Sequence, residues 1–339
     1  MFAFVVRRIL SIIPVLAVVA VCVFLMLRLT PGDPAAVIAG DNATTEQIAD
    51  IRGKLGLNEP IYAQFVIWIG KVFQGDFGES FFFKKTVAEL IAQRVEPTLS
   101  LALCTIVLAV LIAVPLGVYA AWRHGSLTDR IVMGFSVLGF SVPVFVIGYV
   151  LIYFFAITPW EIGVPFAFIT ELFGKQPWFT IDLGGKWFPV QGYTRIGVSF
   201  ANWIYQLILP SITLAVIYIA LISRITRASV LEVLNEDYIR TARAKGLSNR
   251  VVLMRHALRN AAVPILTIIG IGIALLIGGA VVTESVYGLP GLGRLTVEAV
   301  LSRDFPVIQT VILLFSVVYV LINLVIDISY TLFDPRIRY

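Results

Sequence analysis

A chain of 339 residues that is 59% hydrophobic and 14% charged, with a mean hydropathy of +0.92, cannot bury its apolar surface from water. Soluble domains are nearer half apolar and about a quarter charged, so the lipid bilayer is the solvent for most of this one. The formal net charge of +5 gathers on no soluble domain, which excludes a nucleic-acid partner. Cys22 and Cys104 lie in apolar runs without a C-x-x-C partner, and no disulfide or zinc framework is indicated.

A bilayer core needs about 20 apolar residues in helix. Stretches free of Asp, Glu, Lys and Arg meet that length at Ile9–Leu27, Thr98–Trp122, Ile131–Trp160, Ile196–Ser223, Asn260–Thr283 and Phe305–Ile326. Arg7 and Arg8 precede the first, which exceeds a secretory h-region and is followed by Thr30-Pro31-Gly32-Asp33-Pro34 without an A-x-A site. It reads as an uncleaved signal anchor.

The segment after the first span reads as short amphipathic helices. Thr44 and Gln47 form a capping box ahead of Ile48, Ile51 and Leu55, and Gly56 supplies the stop. Pro60 suits a first helical position. Ile61, Phe65, Ile69 and Phe73 follow at spacing four, Gly75 interrupts, and Thr86 with Glu89 forms another capping box before the second span. Two readings stay open: a helical cap on the membrane surface, or a docking surface for a soluble external partner.

The third and fourth spans exceed what crossing requires. They include turns or interfacial segments near Pro159, Trp160, Trp203 and Tyr205. The loop over 158–205 carries Trp160, Trp178, Trp187 and Trp203, residues that anchor at the interface and also form binding hot spots. Pro14, Pro115, Pro143, Pro210 and Pro264 put one proline in each of the first five spans. Prolines there kink helices, as packing irregularities or as a set of bending points.

Six spans put both termini on one side, and the positive-inside rule selects it. Residues 1–8, 123–130, 224–259 and 333–339 hold 14 Lys/Arg against 5 Asp/Glu, whereas 30–97, 158–195 and 284–304 hold 11 against 15. The first set is cytoplasmic.

Its largest member contains Leu231-Glu-Val-Leu-Asn-Glu-Asp-Tyr-Ile-Arg-Thr-Ala-Arg-Ala-Lys-Gly-Leu-Ser248. Asn235 suits an N-cap, and Glu236 and Asp237 suit the positive end of a helix dipole. Arg243 and Lys245 fit the last turn, and Gly246 can take the left-handed stop. Ser248 can cap a following helix with Val251, Val252 and Met254 that re-enters the bilayer near Pro264. The pattern predicts a helix of about ten residues and a sharp turn: a compact knob facing the cytosol, or an ordinary basic loop that holds topology.

Asp237-Tyr-Ile-Arg-Thr-Ala-Arg-Ala-Lys-Gly-Leu247 resembles the cytoplasmic loop of type I ABC importer permeases of the dipeptide and oligopeptide group. The general superfamily motif is Glu-Ala-Ala, three residues, Gly, nine residues, then Ile-x-Leu-Pro. With its glycine on Gly246, only Ala242 of Arg240, Thr241 and Ala242 agrees, and only Leu258 of His256, Leu258 and Arg259. The peptide-permease variant matches closely and includes His256-Ala-Leu-Arg-Asn260 and Pro264. Arg7-Arg8, Pro31-Gly-Asp-Pro34, Gly75-Asp-Phe-Gly78, Ser141-Val-Pro143, Leu289-Pro-Gly-Leu-Gly-Arg294 and Asp334-Pro-Arg-Ile-Arg338 are similar to the same group.

The resemblance implies an all-α membrane protein with six transmembrane helices, both termini cytoplasmic, in the type I ABC importer permease fold. Residues 1–97 would hold the first helix and an external helical segment. Residues 98–333 would form the five-helix transmembrane core with the coupling loop 224–259, and 334–339 a cytoplasmic tail. It implies half of the translocation pathway of an ATP-driven, binding-protein-dependent importer of di- or oligopeptides or a similar small solute, in the bacterial inner membrane. The partners would be a second homologous permease in a heterodimer, two cytoplasmic ATPase subunits and an external solute-binding protein, with no cofactor. Glu236, Asp237, Tyr238, Thr241, Ala242, Lys245, Gly246 and Leu247 would be the ATPase-coupling residues, with Ala242 near the middle of the contact face.

Three rival chemistries fail or weaken. Gly288-Leu-Pro-Gly-Leu-Gly-Arg-Leu295 nearly spells a phosphate-binding loop, but Arg294 stands for the lysine and Leu295 for the metal-binding hydroxyl. A turn capping span five is the alternative. Gly139-Phe-Ser141 lacks a histidine within any span to activate a serine. An ion-coupled secondary transporter needs ionisable residues at mid-membrane, whereas Arg28, Arg224 and Asp327 lie near span ends.

Overall fold

A computed structural model describes residues 2–29, 33, 35–36, 43–54, 56–80, 82–157, 161–162, 181–182 and 187–333. Of Pro31-Gly-Asp-Pro34 only Asp33 is described, and Pro159, Trp160, Trp178 and the tail from Asp334 lie outside.

Helix α1 spans Phe2–Arg28, α2 Thr45–Lys54, α3 Ile61–Phe73, α4 Val87–Trp122, α5 Leu127–Ser141 and α6 Val144–Ile152, which runs on as a π-helical turn to Ile157. Two-residue strands β1 (Glu161–Ile162) and β2 (Ile181–Asp182) pair antiparallel. Helix α7 spans Phe200–Leu234, α8 Asp237–Ala244, α9 Asn249–Asn260 with a π-helical stretch over Val252–Ala257, α10 Ala262–Val286, α11 Leu292–Leu301 and α12 Phe305–Phe333.

The local signals act as their chemistry requires. In the Thr44 capping box the Thr44 N–H donates to Gln47 Oε1 at 2.9 Å, and the Gln47 N–H donates to Thr44 Oγ1 at 3.3 Å. Gly56 ends the segment after α2 at φ +64°. The Arg52 guanidinium on α2 bonds Asp33 and holds its carboxyl below the usual carboxylate range. Thr86 caps α4 by accepting from the Glu89 N–H at 3.3 Å, and Ser126 caps α5 in the same way through the Asp129 N–H. Pro60 sits at the N-cap of α3, one position before the expected one.

Among the described residues, four helices are long and apolar enough to cross a bilayer: Arg7–Arg28, Val87–Trp122, Phe200–Leu234 and Phe305–Tyr330. Two bent pairs bring the number to six if each counts as one span. The third expected span is two helices meeting at 101°, broken at Val142–Pro143. Pro143 is therefore a break rather than a kink. The fifth is bent by 61° at Ala261. Pro264 falls in the first turn of α10, three residues past this bend, where its ring and missing N–H keep the Asn260 carbonyl from continuing the helix. The helices also outrun the apolar runs. Helix α4 begins 11 residues before Thr98 and α7 continues 11 residues past Ser223, because a helix persists wherever backbone pairing and neighbours support it.

Helix α7 is central: 72% of its apolar window lies inside the protein, against 17% for α1 and 6% for α12. Small residues let it approach its neighbours, as membrane helices without a hydrophobic drive between them require. A Cβ on Gly117 of α4 would lie 2.6 Å from Thr226 Cβ and 2.7 Å from the Ser223 carbonyl oxygen of α7. Leu207, Leu214 and Ile222 of α7 form the middle core with Leu101 and Leu276. A separate apolar cluster lies at the cytoplasmic end and another at the outer end.

Candidate functional site

At the cytoplasmic end α7 stops at Leu234, and α8 begins three residues later. Asn235 closes α7, its N–H donating to the Glu232 carbonyl at 3.1 Å. It does not cap α8. Glu236 takes the N-cap position, without a side-chain capping bond, and α8 is eight residues rather than ten. The expected stop is present: Gly246 has φ +78°, and the Leu247 N–H returns to the Ala242 carbonyl at 3.3 Å. This is the six-to-one bond of a left-handed helix end. Ser248 takes the N-cap position of α9, but its side chain accepts no capping bond.

Helix α8 is strongly two-faced. Ile239 and Ala242 are buried and pack with Val118 and Ala121 of α4, Val230 and Leu234 of α7, and Val252 and Leu253 of α9. Glu236, Asp237, Tyr238, Arg240, Thr241, Arg243, Lys245, Gly246 and Leu247 are exposed. The expectation that Ala242 centres an outward contact face is therefore corrected. A methyl is what fits between α8 and the helices beneath it, and Ala242 holds the knob to the bundle. Of the sequence candidates, the other seven share the exposed side or the turn.

Close by, Asp129 at the start of α5 is 4% exposed. It accepts from Arg227 Nη2 of α7 at 2.8 Å, from Arg227 Nε, and from the Gly125 N–H at 2.9 Å. This forked pair ties α5 to α7 about two turns before α7 ends.

At the outer end the glycine-rich turn over 288–295 does hold a carboxyl group, but one of the chain's own. Glu284, on the last turn of α10, is completely buried. Its Oε1 accepts from the Thr98 hydroxyl of α4 at 2.6 Å and its Oε2 from the Arg294 N–H at 2.9 Å. Thr98 Oγ1 in turn accepts from the Leu292 N–H at 2.8 Å. A Cβ on Gly291 would lie 2.2 Å from Glu284 Oε1, and one on Gly293 3.0 Å from Oε2. The glycines therefore leave room for a carboxylate at the start of α11, the favourable end of the helix dipole. Gly288, at φ +61°, makes the turn that caps α10. Sequence reading stopped the fifth span at Thr283 and left Glu284 outside. Seven residues separate Glu284 from Leu292, where α11 begins, and nothing in that spacing announces a buried partner on α4.

The comparisons fit this geometry. Residues 113–339 match the family of binding-protein-dependent transport system inner membrane components, and residues 1–102 match its N-terminal model. The "Probable peptide ABC transporter permease protein y4tP" of Sinorhizobium fredii is 53% identical over 339 residues, all of both chains. The glutathione transport system permease protein GsiC of Salmonella choleraesuis is 41% identical, again over all of both chains. Among solved structures, an inward-facing form of the MetNI methionine ABC transporter superposes with a TM-score of 0.53 at 17% identity, covering 72% of this chain and 96% of that one. The chain belongs to the binding-protein-dependent transport system inner membrane components, as a multi-pass permease subunit of an ABC importer.

Proposed function

We propose that the chain is one half of the pathway of a peptide importer, paired with a second, homologous permease. Peptides or a similar small solute reach it from an external binding protein, and two cytoplasmic ATPase subunits drive it through α8. In this reading residues 98–333 are the transport core and 224–259 the coupling loop. Relatives named for peptide and glutathione transport support the substrate class. The chain's one phosphate-loop-like turn is filled by Glu284, which supports ATP hydrolysis by partners.

The observation that carries the coupling role is the division of α8 into a buried apolar side and an exposed charged side, closed by Gly246. A loop that only held topology would need neither. Tyr238 and Thr241, exposed on α8, are the residues to test. Tyr238→Glu and Thr241→Glu should reduce pull-down of the ATPase subunits and peptide uptake at normal membrane abundance. Full binding and full uptake in both would make the loop a spacer. Uptake by this chain alone in proteoliposomes under a proton or sodium gradient would favour an ion-coupled carrier instead.

A further inference from the structure

We propose that α3 is a membrane-interface helix whose outward side beds into the external leaflet, with the boundary between lipid headgroups and acyl chains as its partner. This separates the two readings that the sequence leaves open for the external segment, and it does not depend on the coupling role of α8.

The inner side of α3 is fully occupied. Phe65 and Trp68 pack on Phe24 of α1, with ring centroids 5.2 and 5.6 Å away. Gln64 is buried, accepts from Arg28 Nε at 3.1 Å, and donates to the Leu57 and Glu59 carbonyls. The outer side is apolar as well: Ile61, Tyr62, Val66, Ile67 and Phe73 are between 48% and 85% exposed. Lys71, in the last turn, is the only charge in the helix. A helix apolar all round is buried in something.

Length and depth identify what covers it. Thirteen residues reach about 20 Å, short of the roughly 30 Å of a bilayer core but suited to an interfacial segment. Its anchors on α1 are Phe24 and Arg28, in the last turn of that helix. Arg28 is the first charge after Arg8 and so marks where α1 leaves the hydrocarbon. The same helix exposes Ile13, Val18 and Val21 along the span, so the outward side of α3 continues a surface that faces lipid. Tyr62 and Phe73 supply interfacial aromatics, and Lys71 can extend its ammonium to the headgroups.

The flanks are polar. Helix α2 carries Glu46, Asp50 and Arg52, and Gln74, Asp76 and Glu79 follow α3. Among the described residues of this segment, the exposed apolar side chains gather on α3, with Phe82 beyond it. A binding protein that docks and leaves meets a surface only somewhat more than half non-polar, unlike this one.

The test uses the assembled transporter in lipid nanodiscs, with Cys22→Ser and Cys104→Ser and a single Val66→Cys labelled with an environment-sensitive fluorophore. The emission should be blue-shifted, lose most of its intensity in brominated phosphatidylcholine, and resist aqueous iodide. Glu46→Cys on α2 should behave in the opposite way. Tyr62→Cys repeats the measurement at a second outward position if Val66→Cys folds poorly. Quenching by iodide and not by bromolipid would mean that the face lies in water. A blue-shifted emission that neither agent quenches would mean that protein covers it. Either result overturns the proposal.

Discussion

Glu284→Gln removes the charge at the outer end of the bundle while keeping the shape of the side chain. In the native arrangement both carboxylate oxygens accept, from the Thr98 hydroxyl at 2.6 Å and the Arg294 N–H at 2.9 Å. An amide has one oxygen, so its NH2 must face one of these donors. Losing one hydrogen bond to a charged group costs about 1.5–3 kcal/mol. Glu284→Ala leaves both donors orphaned in a site with no solvent access, about 1–3 kcal/mol each, and adds a cavity. The expected order of stability is therefore wild type, then Gln, then Ala.

Thr98→Val separates a shared network from two independent contacts. Thr98 joins Glu284 to the Leu292 N–H, so removing it already disables much of what Glu284 holds. The double variant Thr98→Val/Glu284→Ala should lose less than the sum of the single losses, with a coupling of about 0.5–3 kcal/mol. The assay is denaturant unfolding of the purified permease in mixed micelles, with membrane abundance measured alongside. A Glu284→Gln protein as stable as wild type, or strictly additive losses, would refute the reasoning that one buried carboxylate organises this turn.

Gly246→Val places a β-branched side chain at φ +78° where a Cβ meets nothing within 4 Å, so its cost is purely conformational, about 1–2 kcal/mol. ATPase pull-down and uptake should fall while the spans still insert, and Gly246→Asn should be milder in both. Gly117→Val should abolish accumulation of folded protein, since its Cβ would lie 2.6 Å from Thr226 Cβ; Gly134→Ala, which meets nothing within 4 Å, should leave size-exclusion profiles unchanged. In a variant lacking Cys22 and Cys104, an impermeant thiol reagent should label Thr45→Cys in intact cells and Arg250→Cys only after permeabilisation; early labelling at 250 reverses the orientation.

What was legible in the sequence is what depends on neighbours within a few residues. The Thr44 box, the Thr86 cap and the Gly246 stop are local bonds of three to five residues, and residue type announces them. The apolar runs located the spans because lipid imposes its length on any helix that crosses it. The lengths of α4 and α7 were not legible, since charge ends an apolar run without ending a helix. Nor was the 101° break at Pro143, because a proline shows that a helix can bend and its neighbours decide how far.

The candidate site divides along the same line. The exposed residues of α8 are charged, and sequence singles them out. Which side of α8 faces the bundle is set by Val118, Val230 and Val252, residues 124, 12 and 10 positions from Ala242. A residue matching a family motif was therefore read as a contact for a partner when its contact is internal. That inward role bears on coupling. Ile239 and Ala242 seat α8 on the cytoplasmic ends of α4 and α7 and on α9, which leads through the Ala261 bend into α10. Under the coupling role proposed for α8, a force on its exposed side would reach three spans through this apolar seat. Helix α7 is unbroken over 35 residues, whereas the fifth span bends by 61° at Ala261. The small side chain at 242 thus matters because it lets a charged knob sit close against the bundle.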